Sequence, residues 1–196
     1  VGEVFSILYP DMVYRLIMVD GGLTAHPAAD VDIEALMKSQ LGPMLERLSL
    51  VFKSVDEYIQ MMHGQPALKQ WNKYFELYAR YDVEQVENGF KPRPNIEAVK
   101  TDYADMVLNS LLRTKIGSIK VPLTLIRAGR NVMDESNPII DDVLVAEYRK
   151  VLPQLEDRML VNFNHYTIVM SEEGARYISK ILENIDLSRM PLWGPI

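Results

Sequence analysis

Two kinds of apolar periodicity divide the chain into three blocks. Over residues 1 to 9, Val1, Val4, Phe5 and Leu8 recur at helical spacing, and Pro10-Asp11 ends the helix in a turn. Val13 and Leu16-Ile17-Met18-Val19 then form a nearly continuous apolar run, closed by Asp20-Gly21-Gly22. Such a run, bounded by turn residues, fits a strand covered on both faces of a parallel sheet.

From residue 23 to residue 115 the pattern turns helical. Asp32 to Leu50 places Ile33, Leu36, Met37, Leu41, Met44, Leu45 and Leu48 on one broad face, and Gly42-Pro43 predicts two helices or a kink there. Ser54 with Glu57 three residues on marks the start of a helix running to His63-Gly64, with the glycine as its C-cap. Leu68 to Tyr81 is rich in aromatic residues: Trp71, Tyr74, Phe75, Tyr78 and Tyr81. Val83 to Pro94, with one glycine and two prolines, reads as a loop, and Asn95 caps a helix to Leu112. With no strand evident, residues 23–115 are expected to form an all-helical insert.

The sheet pattern then resumes. Val121 to Gly129 predicts a buried strand entered through Pro122, and Arg130 to Pro138 a polar loop. Asp142 to Leu152 predicts a helix burying Val143, Val145, Ala146, Tyr148 and Leu152. Arg158 to Phe163 predicts another strand. Ser171 to Ile185 predicts a last helix with Ala175, Ile178, Ile181, Leu182 and Ile185 inward, followed by a tail from Asp186 lying across the surface.

Composition narrows the classes. The 196 residues, 48% of them hydrophobic, suffice for one domain with a real core. A net charge of -6 gives no electrostatic footprint for nucleic acid and no polybasic membrane patch. No apolar stretch approaches the roughly 18 residues of a membrane span. The absence of cysteine excludes disulfides, cysteine nucleophiles and thiolate metal sites, and fits a cytoplasmic protein. The first residues, Val1-Gly2-Glu3-Val4-Phe5, read as if cut from inside a helix, so the chain is expected to be the C-terminal part of something longer.

One histidine of the three stands where chemistry is expected. His165 lies in Asn162-Phe163-Asn164-His165-Tyr166-Thr167, after the apolar run Met159-Leu160-Val161 and ahead of an amphipathic helix. A histidine where a strand gives way to a loop is a common place for a catalytic base; the plainer alternative is a loop histidine bonded to backbone. His26 falls in a loop at the mouth of the insert, and His63 at a helix end, where a cation suits the helix dipole. No H-x-x-x-H or H-x-H spacing supports a metal site, and no metal or organic cofactor is expected.

Three segments carry a family resemblance. Tyr9 to Gly22 resembles the YP-D-x-V-x-x-L-x-L-V-D segment of the α/β-hydrolase superfamily, Val121 to Gly129 its strand leading to the acid loop, and Asn164-His165-Tyr166-Thr167 its base loop. The resemblance covers essentially the whole chain. It implies an α/β fold: residues 1–22 and 116–196 as the C-terminal part of the core, and 23–115 as the cap. It also implies a hydrolase of ester, thioester or lactone-type acyl bonds, with His165 as base. The acid usually follows the strand ending at Gly129 as G-x-x-D, but Val132 occupies that position. Asp134 is the first choice, Glu135 a neighbour that could substitute, and Asp20 the alternative.

The family's nucleophile elbow, G-x-S-x-G, does not occur in the chain. The resemblance places it, with the first strands of the sheet, upstream of Val1, and the chain is expected to need that half of the fold. An aspartate at the elbow would make the protein an epoxide hydrolase or haloalkane dehalogenase, and a non-catalytic protein binding a small molecule under its cap is the reading from another class. Tyr166, Trp71 and His26 are the candidates to line a small-molecule substrate pocket, although the aromatic spacing around Trp71 also fits packing within the cap. Arg127 and Arg130 could meet a substrate carboxylate or simply pair with Asp134 or Glu135. Homo-oligomerisation stays open.

Overall fold

The computed structural model describes residues 1–24 and 31–184. His26, Ile185 and the tail from Asp186 lie outside these described residues. The elements in chain order are α1 (Gly2–Leu8), β1 (Leu16–Val19), α2 (Ile33–Ser49), α3 (Val55–His63), α4 (Lys73–Tyr81), β2 (Val83–Val86), β3 (Gly89–Pro92), α5 (Ile96–Leu108), α6 (Ser110–Lys115), β4 (Leu123–Arg130), α7 (Asp142–Val151), β5 (Leu155–Asn164) and α8 (Glu172–Glu183). The chain divides into two compact units, Val1–Thr24 with Ser110–Ile196, and Ala25–Asn109. The fold class is α/β.

The first unit is built on a three-stranded parallel sheet in the order β1-β4-β5. β4 is its centre, and from Leu123 to Ala128 every residue is buried. One face, with Leu123 and Leu125, packs on Ile140, Val145, Tyr148 and Leu152 of the α7 region. The other face, with Ile126 and Ala128, packs under Ile168 and α8 through Tyr177, Ile178 and Ile181. Leu125 and Ile126 are both fully buried. Each stabilises the unit by about 1.5–3 kcal/mol relative to exposure. The parallel arrangement explains why β4 reads as a continuous apolar run.

The helix faces differ from the expectation in detail. On α7, Val143 is exposed and Ala146 lies outward, so burial rests on Val145 and Tyr148. On α8, Ala175 and Leu182 are exposed, and Tyr177 takes the inward place beside Ile178 and Ile181. Asp141 caps α7 by accepting the Leu144 N–H at 2.7 Å. β5 runs from Leu155, three residues before the expected start at Arg158.

The second unit is not all-helical. Val83–Val86 and Gly89–Pro92 pair as an antiparallel hairpin, where the sequence predicted a loop. Phe52 extends it through two backbone bonds with Phe90. Gly89, at a φ of 138°, closes the turn after Asn88, and Pro92 is the last residue of its strand, after which the Arg93 N–H donates to the Asp82 carbonyl at 2.7 Å. α2 runs unbroken from Ile33 to Ser49 with Pro43 inside it, rather than as two helices. Its Met37 packs on Tyr103 and Val107 of α5. Ser54 caps α3 as expected, but Gly64 at its C-cap is right-handed (φ -73°), so the glycine is not there for a left-handed turn. A buried polar cluster ties the unit together: the Tyr58 hydroxyl donates to Asp82, and Arg47 donates to both, reaching Asp82 at 2.8 Å.

Candidate active site

The site is assembled at the C-terminal ends of the three parallel strands. β1 ends at Val19, and Asp20 follows in a left-handed conformation, φ 46°. Aspartate tolerates that conformation better than most residues. The turn ends the backbone ladder of β1, and the side chain continues it. The Asp20 N–H donates to the Ile126 carbonyl at 2.7 Å, and Asp20 Oδ1 accepts from the Ala128 N–H at 2.8 Å. The carboxylate is thus locked by β4 and only 2% exposed.

Its other oxygen, Oδ2, lies 2.8 Å from Nδ1 of His165. An ionised carboxylate can only accept, so Nδ1 carries the proton and Nε2 of a neutral ring keeps its lone pair. The ring is 39% exposed, which leaves that nitrogen open to a reactant. A buried, twice-bonded acid holding a half-exposed imidazole is the arrangement a general base requires.

The loop bearing His165 is held from beneath by Asn164. That side chain is buried, and its Oδ1 accepts from the Tyr166 N–H at 3.0 Å and the Thr167 N–H at 2.9 Å. The Thr167 hydroxyl accepts the Asn164 N–H at 2.9 Å, and Ser171 caps the following helix by accepting from the Gly174 N–H. The Tyr166 ring stands edge-on to His165, with centroids 5.5 Å apart.

Asp134, the sequence's first choice for the acid, is engaged elsewhere. Its Oδ1 pairs with Arg130 at 3.2 Å and accepts from Asn164 Nδ2 at 3.0 Å. The carboxylate on His165 is that of Asp20, which the sequence offered as the alternative. Glu135 accepts from Asn131 Nδ2 at 3.0 Å. Arg127 is buried and bidentate on Asp157, at 2.7 and 2.8 Å, with further bonds to Asp142 and the Ile140 carbonyl. The Asp157 hydrogen bonds raise its pKa against the lowering effect of burial. Arg130 pairs with Asp134, as the sequence offered, whereas Arg127 pairs with neither Asp134 nor Glu135. The pairing signal for Arg127 was absent because Asp157 lies 30 residues away on the neighbouring strand.

Trp71 is occupied within its own unit. It stacks on His63 with centroids 3.9 Å apart, lies 5.8 Å from Phe75, and donates Nε1–H to Glu76 at 3.2 Å. Among the described residues no three metal-ligating side chains gather, and no helix is long and apolar enough to cross a membrane. A groove of about 380 Å³ lies at the opposite end of the sheet, between Arg15, Glu156, Arg158 and the end of α8, and neither His165 nor Asp20 lines it.

No protein-family model and no curated protein sequence matches the chain. Solved structures do. The chain is similar to E-2-(acetamidomethylene)succinate hydrolase, with a TM-score of 0.63 at 13% identity over 92% of this chain and 62% of that one. It is similar to the thioesterase domain from the curacin biosynthetic pathway, with a TM-score of 0.61 at 18% identity over 92% and 62%. A third similar structure is the peroxisomal alpha-beta-hydrolase Lpx1 of Saccharomyces cerevisiae, TM-score 0.64 at 15% identity over 97% and 54%. The chain therefore spans less than two thirds of the length of each. At these identities the likeness establishes the fold, which is that of the α/β-hydrolases.

Proposed function

We propose, taking the α/β-hydrolase fold as the premise, that the chain is the base-and-acid portion of a serine-type hydrolase acting on an ester, thioester or lactone-type acyl bond. The observation that carries the reading is the 2.8 Å contact between His165 Nδ1 and Asp20 Oδ2. In this reading Nε2 takes the proton of a serine hydroxyl supplied from upstream of Val1 as it attacks the acyl carbon, and returns it to the leaving group. Asp20 stabilises the imidazolium that forms between those steps. Structural neighbours whose names include thioesterase and esterase favour acyl substrates.

Two further features support an upstream part. Among the described residues β1 pairs only with β4, leaving its other edge without a strand partner. Beside it α1 and the turn after it expose Phe5, Leu8, Tyr9 and Met12. An open edge and an apolar face together favour pairing with more of the fold.

A fluorophosphonate probe on the full-length protein tests the reading. We expect it to label one upstream serine, and His165→Ala to abolish both labelling and acyl hydrolysis while the fold is retained. An aspartate at the elbow, or full hydrolysis by the His165→Ala protein, would overturn it, the former in favour of an epoxide hydrolase or dehalogenase.

A further inference from the structure

Asp20 and Asp134 are the only non-glycine residues with positive φ among the described residues, at 46° and 65°. Each follows one of two adjacent strands, and each delivers its carboxylate to the loop that carries His165. Asp20 bonds the imidazole itself; Asp134 bonds the residue before it, Asn164. Left-handed backbone at a non-glycine residue gathers at functional sites, where the surroundings hold it.

The donor and acceptor pattern gives Asn164 one orientation. Its Oδ1 receives the N–H groups of Tyr166 and Thr167, so that atom is the oxygen, and the amide NH₂ must face Asp134. Asp134 is itself fixed. Its N–H donates to the Asn131 carbonyl at 3.1 Å, its carboxylate pairs with Arg130, and Arg130 donates to the Asn162 carbonyl at 2.8 Å. The bonds form a closed ring from the end of β4 to the end of β5, with His165 immediately beyond it.

We propose that Asp134 and Asn164 are a positioning pair for His165. The carboxylate, anchored by Arg130, orients the amide, and the amide holds the turn that presents the imidazole to Asp20. The inference rests on the reading of His165 as the base, and it gives Asp134 a role distinct from that of the acid.

A reversed pair tests it. In the full-length protein, Asn164→Asp sets two carboxylates face to face and removes the donor. We expect kcat to fall about 10²-fold, the cost of misplacing a catalytic group by roughly an ångström, with KM little changed. The double variant N164D/D134N restores one donor and one acceptor with their places exchanged, and asparagine accepts the left-handed backbone at 134. It is expected to recover kcat to within about tenfold of the wild type. The NMR resonance of the His165 Nδ1 proton should move in the single variant and return in the double. A double variant no better than Asn164→Asp overturns the pair, as does an Asn164→Asp protein with unchanged kcat and resonance. If Asn164→Asp fails to fold, the double decides alone: recovery supports the pair and failure overturns it. If the wild type hydrolyses nothing, the resonance still reads the pair, so loss of the hydrolase reading and loss of the positioning pair are separate results.

Discussion

Asp20 Oδ2 lies 2.8 Å from His165 Nδ1 across 145 residues of sequence, while Asp134, only about a fifth exposed, is bonded to Asn164 and Arg130 instead. Two aspartates at one end of one sheet therefore have different expected roles. Asp20→Asn in the full-length protein should lower kcat by about 10⁴-fold, because an amide presents the wrong tautomer to the ring. Asp134→Asn keeps an oxygen for the Asn164 amide and should cost less than about tenfold. Steady-state kinetics on an activated ester compares them, and a larger loss from Asp134→Asn would reverse the assignment.

The Arg127–Asp157 pair predicts a stability effect. Asp157 is 11% exposed and receives two bonds from the guanidinium, whereas Asp142 is 83% exposed and gains little from its contact. Arg127→Met strands the Asp157 carboxylate and should destabilise the protein by about 3–5 kcal/mol. Arg127→Lys should not restore it, since an ammonium cannot reproduce the bidentate fork. Urea unfolding measures both, and a loss for Arg127→Met within 1 kcal/mol of zero, on the order of an exposed pair, would show that Asp157 finds another partner.

Gly174 links α8 to the histidine loop. A Cβ there would sit 2.2 Å from the Ile168 carbonyl oxygen and 2.9 Å from that of Thr167, and both are backbone atoms. Gly174→Ala should therefore push the helix start away from the loop, at a cost of about 1–3 kcal/mol typical of overpacking. Thermal melts, read alongside the His165 Nδ1 resonance, check this. An unshifted melt and resonance would mean that α8 moves without disturbing the site.

Buried tyrosines set an alkaline limit. Burial raises the Tyr58 hydroxyl well above its ordinary value, with the bond to Asp82 adding to the shift, and burial likewise raises Tyr103 and Tyr148. The unfolded chain ionises these groups near pH 10 while the folded chain keeps their protons. The folded form binds more protons, so stability is fully present below about pH 10 and falls as pH rises through the window above it. Urea midpoints measured from pH 8 to 11 should decline at the upper end, and Tyr58→Phe should flatten the decline. A constant midpoint over that range would contradict the assignment.

Much of the site was legible because the signals were local. His165 stands out through its strand-to-helix setting, and Asp20 was offered as the alternative acid by the family resemblance. The hairpin in the second unit had a local signal too: the loop residues Glu87-Asn88 lead directly into Gly89, whose positive φ suits only glycine. The prolines at 92 and 94 obscured it, although Pro92 stands at the last position of its strand. α2 kept its single run despite Gly42-Pro43, since its face packs on α5, and packing outweighs local propensity.

The sequence by itself determined the class of the fold and the order of strand and helix in the first unit, and it singled out His165 among the histidines. Those follow from periodicity and turn chemistry, which depend on near neighbours in the chain. Only the tertiary structure decided which carboxylate meets that histidine. Asp20 and Asp134 both follow sheet strands, and nothing within a few residues of either distinguishes them as partners. The choice arises from the register of β1 on β4, which puts Asp20 Oδ1 on the Ala128 N–H and turns Oδ2 to the ring. The Asn164 amide, facing the other way, engages Asp134. Both are contacts between groups distant in sequence, fixed by strand pairing and the bonding capacity of a single amide.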